Sequence, residues 1–143
     1  MKKYILLAAI AVLAYGYFQF QEMPSPGSTG SMAAEIALQN AFANGESDIQ
    51  VQGAGKVTRV LSDDLEGSRH QRFIVMLAWG DTVLISHNID LAPRVENLRA
   101  GDAVEFFGEY VWNDKGGVIH WTHHDPAGRH VAGWVKHLGK TYQ

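Results

Sequence analysis

Five stretches rich in β-branched and aromatic residues follow one another along the chain: Val51 to Leu61, Arg72 to Trp79, Thr82 to His87, Ala103 to Trp112 and Val118 to His124. Gly, Asp and Asn punctuate the gaps, which predicts β-strands joined by turns. Gly80-Asp81 predicts a tight hairpin between the second and third strands, and Asn113 to Gly117 predicts another between the fourth and fifth. The longer segment Ile89 to Gly101 contains Pro93 and an Arg94 to Leu98 stretch that predicts one helical turn. A helical element between strands three and four of a five-stranded set is the layout of an OB-fold barrel. Gly53 and Gly55 would let the first strand bend around a barrel corner. Ahead of the strands, Met32 to Phe42 carries Ile36, Leu38 and Phe42 among alanines and stops at Asn44-Gly45, which predicts a short capped helix. The expected fold is mostly β: a five-stranded OB-fold-like barrel with a short N-terminal helix and an irregular C-terminal tail.

Residues 1–20 break this pattern. Lys2 and Lys3 precede an apolar run from Tyr4 to Phe18, the arrangement of a secretory signal peptide or an uncleaved signal anchor. Bulky residues follow Ala14-Tyr15-Gly16 where a cleavage site would need small ones. If the segment is retained, the two lysines hold the N-terminus inside and the domain hangs on the outer side of the inner membrane, in the periplasm or facing the exterior. Residues 21–32, with Pro24 to Ser31 at their centre, read as a flexible linker. Residues 33–143 then form a single domain.

Composition narrows the chemistry. The chain has no cysteine, which excludes a thiol nucleophile, a thiolate metal site and a lipid-modified cysteine. Charge is unevenly placed beneath a net −3. Residues 33 to 114 hold thirteen acids against six Lys or Arg and sum to −7, whereas Lys115 to Gln143 has four Lys or Arg against Asp125 and sums to +3. Five of the seven histidines lie in that basic segment, a combination that attracts an anionic ligand locally.

Within it, His120-Trp121-Thr122-His123-His124-Asp125-Pro126 concentrates three imidazoles and a carboxylate where a strand should end. Imidazole is a common ligand for a divalent transition metal, zinc first among them, and a carboxylate can complete or orient such a site. In a regular strand, however, His120 and His124 stand about 13 Å apart at ~3.3 Å per residue. A closed site therefore requires a bend after Thr122 or ligands from elsewhere, such as His87, His130 or His137. The metal set read from the sequence is His87, His120, His124 and His130. A metal-free alternative uses His123 as general acid or base, with Asp125 orienting a ring.

Arg69, Arg72 and Arg94 form a second candidate group, because guanidinium forks hold phosphates and carboxylates bidentately. Trp134, in a Gly-flanked part of the tail, is the best placed of the four tryptophans to stack on a ligand. Trp79, Trp112, Trp121, Phe107 and Tyr110 read first as core.

Val57 to Asp64 resembles the opening strand of thermonuclease-type OB-fold nucleases, which hydrolyse phosphodiesters with arginines and a calcium-binding acid cluster. Asp64-Leu65-Glu66 stands here where that family has Gly-Asp-Thr, so its acid site does not carry over. Over residues 55 to 143, Ser86 to Arg94, Gly108-Glu109-Tyr110 and His120 to Pro126 resemble a family of small exported bacterial proteins known only as a domain of unknown function. That resemblance implies export and an OB-like domain, and no activity. The sequence thus predicts an exported OB-like domain whose His-rich site binds or hydrolyses an anionic, phosphodiester-like ligand such as nucleic acid. The alternative is a noncatalytic envelope binding module or protein-interaction adaptor without metal.

Overall fold

Strand β1 (Ile49–Val60) is the seam of the barrel. Its first part pairs with β4 (Ala103–Val111) from Ile49↔Tyr110 to Lys56↔Ala103, and its second part pairs with β2 (His70–Leu77) from Gly55↔Leu77 to Val60↔Phe73. Gly55 and Lys56 pair on both sides, so the strand passes from one half of the sheet to the other there. Glycine is required at the crossing: a Cβ on Gly55 would lie 2.3 Å from the Met76 carbonyl oxygen, and one on Gly53 would lie 2.5 Å from the Phe106 ring. The bend expected from these two residues is what the chain makes. A register shift between Val57 and Arg59 adds twist just beyond it.

The computed structural model describes residues 28–143, with side chains from Met32. The residues read as an export signal and most of those read as a linker lie outside the described residues. β2 runs antiparallel to β3 (Thr82–Asn88), β3 lies parallel to β5 (Val118–His120), and β5 returns antiparallel to β4. The order β1-β2-β3-β5-β4 closes on β1 into a five-stranded barrel, which is OB topology. Its interior holds Val57, Phe73, Val75, Val83, Ile85, Phe106, Tyr110 and Ile119, alternating with outward residues as the pleat demands.

Helix α1 (Ser28–Asn44) sends Leu38 and Ala41 into that core. It starts inside the segment read as linker, ahead of Met32. Its end is the expected cap: Gly45 takes φ 68°, the Glu46 amide donates to the Ala41 carbonyl at 2.9 Å, and the Gly45 amide donates to Phe42 at 3.3 Å. This is a Schellman closure.

Three expectations need correction. Arg94 to Leu98 makes no helix, because the buried Gln71 amide captures Val95 on both sides, accepting its N–H at 2.8 Å and donating to its carbonyl at 3.1 Å. The fifth strand stops at His120, not His124, since Trp121 turns to φ 53°. The tail is not irregular throughout: β6 (Trp134–His137) and β7 (Lys140–Tyr142) form a hairpin turning on Leu138 (φ 48°) and Gly139 (φ 76°). β6 pairs with β4 from Val104↔His137 to Phe107↔Trp134, taking the length of that strand's edge that β5 leaves free.

Candidate functional site

The pleat decides first where each candidate side chain goes. His87 is on the inward parity of β3 and has no exposed surface. Its Nε2 lies 3.0 Å from the Pro93 carbonyl and its Nδ1 lies 2.8 Å from the Thr122 hydroxyl. A carbonyl only accepts, so Nε2 carries the proton and Nδ1 accepts from Thr122. Burial is the main reason that the ring's pKa falls to about 4. His120 takes the opposite parity on β5, and burial, followed by the charge of His70, lowers its pKa. His124 is exposed. His130 sits in the loop after β5, with Nε2 2.8 Å from a Glu109 carboxylate oxygen and Nδ1 2.8 Å from the Val131 carbonyl. The hydrogen bond to Glu109 is the largest influence raising its pKa.

The bend after Thr122 that convergence requires does occur, yet it does not gather the four rings. Among the described residues, no three His, Asp or Glu side chains are grouped to hold an ion. His87 faces the barrel interior while His130 is tied to the outward face of β4.

Asp125 and His123 each bond to backbone of the same loop. Asp125 Oδ1 accepts the Ala127 amide at 2.9 Å, and its Oδ2 accepts those of Arg129 and His130 at 2.7 and 3.0 Å. These backbone donors, Ala127 first, hold the carboxyl below its usual pKa. The side chain shapes the loop. His123 is buried with Nδ1 2.7 Å from the His124 carbonyl, and its ring lies 5.3 Å from that of Trp121.

The arginines act as rivets. Arg69 pairs with Asp90 at 2.7 Å, Arg94 pairs with Asp63, and Arg72 donates to the Ser62 carbonyl from Nε and Nη2 at 3.1 and 3.0 Å. Together they fasten the β1–β2 loop to β2 and to the segment after β3.

What the structure does gather is a row of rings on the outward face of β4 and β6. Trp134 lies 6.1 Å from Phe107, its partner in register, and Lys136 Nζ stands 4.5 Å over the Trp134 ring. Two residues further along β4, Glu109 holds His130, whose imidazole stacks on Trp121 at 4.0 Å and 10°. Phe107, Glu109, Trp121, His130, Trp134 and Lys136 are all half-buried. Trp134, the tryptophan singled out from the sequence, stands on this face. Glu109 escapes a search for catalytic motifs; its signal is the outward parity it shares with Phe107, two residues away.

No helix among the described residues is long and apolar enough to cross a membrane. The model of a family described as Protein of unknown function (DUF3465) matches residues 23–143. No curated protein and no solved structure matches the chain.

Proposed function

We propose that this chain, which belongs to the DUF3465 family of proteins of unknown function, is a noncatalytic OB-fold binding module that takes an anionic, ring-bearing ligand on the outward face of β4 and β6. The observation that carries the reading is the continuity of that face, with Phe107 beside Trp134 and the Trp121–His130 stack placed over the next outward position of the same strand. Rings offer sequence-tolerant stacking surfaces, and nearby cations supply attraction to phosphates. Lys136 stands over Trp134, Arg129 is exposed in the adjoining loop, and residues 115–143 sum to +3. Single-stranded nucleic acid is the ligand class with both properties. Binding is favoured over hydrolysis because His87 and Asp125 spend their polar atoms inside the fold. Export by residues 1–20 would put this module outside the cytoplasm.

Tryptophan fluorescence titration with an oligothymidylate of roughly ten nucleotides, a length within the range an OB domain covers, tests this. Saturable quenching that weakens with added salt is expected, and Trp134→Ala should loosen binding about tenfold or more, the scale of one lost stacking contact. Equal affinity in Trp134→Ala and Lys136→Ala proteins, or no binding at low salt, refutes the reading. A saturable rise in melting temperature on adding zinc would favour a metal-assisted site instead.

A further inference from the structure

Two energetically unfavourable features of the same domain meet at one cavity. Between α1, the middle of β1 and the ends of β2, β4 and β6 lies a cleft of about 810 Å³, within the size range of small-molecule sites. Its walls are largely apolar, with Met76, Leu77, Val104 and Leu138 among them. His137 also lines it and is 2% exposed.

The His137 ring is half satisfied. Nε2 lies 2.8 Å from Asp102 Oδ2, and that oxygen also accepts the Arg99 amide at 2.9 Å. A carboxylate only accepts, so Nε2 carries a proton toward Asp102, and in that tautomer Nδ1 presents a lone pair. Nδ1 is buried and, among the described residues, has no hydrogen-bond partner. An orphaned buried acceptor is costly, and natural folds rarely keep one without cause. The second feature is Leu138, which adopts φ 48° and is 82% exposed. A left-handed turn position ordinarily selects Gly or Asn, and an exposed leucine there brings neither conformational ease nor burial.

We infer that this cleft is a second ligand site, for a small molecule with an apolar body and an amine end. The amine donates to His137 Nδ1, and the body lies against Leu138 and the apolar wall. The polarity follows from the acceptor, because only a donor completes it. Charge agrees: Glu35, Asp102 and Glu105 line the cleft against Lys56 and Lys136. Nδ1 itself is closed to solvent, and the exposed Leu138-Gly139 turn forms part of the cleft wall beside it. The site stands whether or not the ring-lined face binds nucleic acid.

Hexylamine is the probe, with hexanol and hexanoate as matched comparisons, titrated into the 15N-labelled full chain. The His137 imidazole nitrogen resonances report occupancy directly. Hexylamine should shift Nδ1 saturably, hexanol more weakly, and hexanoate at least tenfold more weakly than hexylamine. Ala103→Trp, which places a large ring on the cleft wall, should abolish the shift while far-UV circular dichroism stays unchanged. His137→Phe should weaken hexylamine about tenfold, read from the Leu138 methyl resonances. Should that variant fail to fold, the tryptophan variant still decides. The inference is overturned if hexanoate binds as tightly as hexylamine, if no His137 resonance shifts saturably, or if Ala103→Trp binds undiminished.

Discussion

Replacing His87 by phenylalanine separates a buried structural histidine from a metal ligand or proton donor. The ring has no exposed surface, is held between Thr122 and the Pro93 carbonyl, and stays neutral down to about pH 4, against 6.5 for an ordinary histidine. Between those two values the unfolded chain binds the proton and the folded chain does not. Stability must therefore rise with pH across that window and fall as acid is added. A difference of this size corresponds to about 3 kcal/mol, fully present above the unfolded value and absent below the folded one. Phenylalanine keeps most of the volume and does not titrate, but it orphans the buried Thr122 hydroxyl. The variant should thus be less stable at neutral pH by about 1–3 kcal/mol. It should also lose most of the acid-dependent slope. Urea denaturation at a series of pH values measures both effects, and the difference between the two proteins cancels the other histidines. An NMR titration of the His87 ring supplies the folded pKa independently. The reasoning fails if the variant keeps the wild-type slope, or if the ring titrates near its ordinary value.

Glu109→Gln should bring the His130 pKa down toward that of a free histidine, because the hydrogen bond to Glu109 is the chief influence raising it. His130 contributes with the opposite sign to His87. Its stabilisation is complete below the unfolded value and fades as pH rises through the folded one, so the variant should lose stability mainly in mild acid, measurable by denaturation at each pH. Gly55→Ala should cost roughly 1–3 kcal/mol, because its methyl group would meet a backbone carbonyl that cannot rotate away. An unchanged melting temperature would show that the β1 crossing is looser than its contacts imply.

Residue types revealed the barrel more readily than they revealed the site. Strand runs and the Asn44-Gly45 cap are local signals, and each has one dominant cause in side-chain shape or glycine conformation. Gly53 and Gly55 were legible for the same reason, since few roles other than a bend or a close approach suit two glycines inside one strand. The β6–β7 hairpin escaped because four- and three-residue strands are too short for alternation to stand out, and because its turn uses Leu138 where glycine or asparagine would announce it. The absent helix at Arg94 to Leu98 depends on Gln71, twenty-four residues away in sequence from Val95, which no local pattern contains. The histidines posed a harder problem. Strand parity sends His87 inward and His120 outward, and parity can be read only once strand limits are known. The partners of the arginines were illegible for the same reason, since Asp63, Asp90 and the Ser62 carbonyl are brought near them only by the folded loops.

The way β6 docks on β4 bears on how a sheet edge is covered. From Val104 to Phe107 the hydrogen-bonding groups of β4 that point away from β1 are occupied by Trp134 to His137. Beyond them, among the described residues, β7 pairs with β6 alone along three positions. A strand this short, with Lys140 at its start, is a poor template for a neighbouring molecule. Removing residues 134–143 would bare a four-residue stretch of donors and acceptors beside the barrel core. The protein would then become prone to edge-to-edge polymerisation, even though every strand of the closed barrel would still be present.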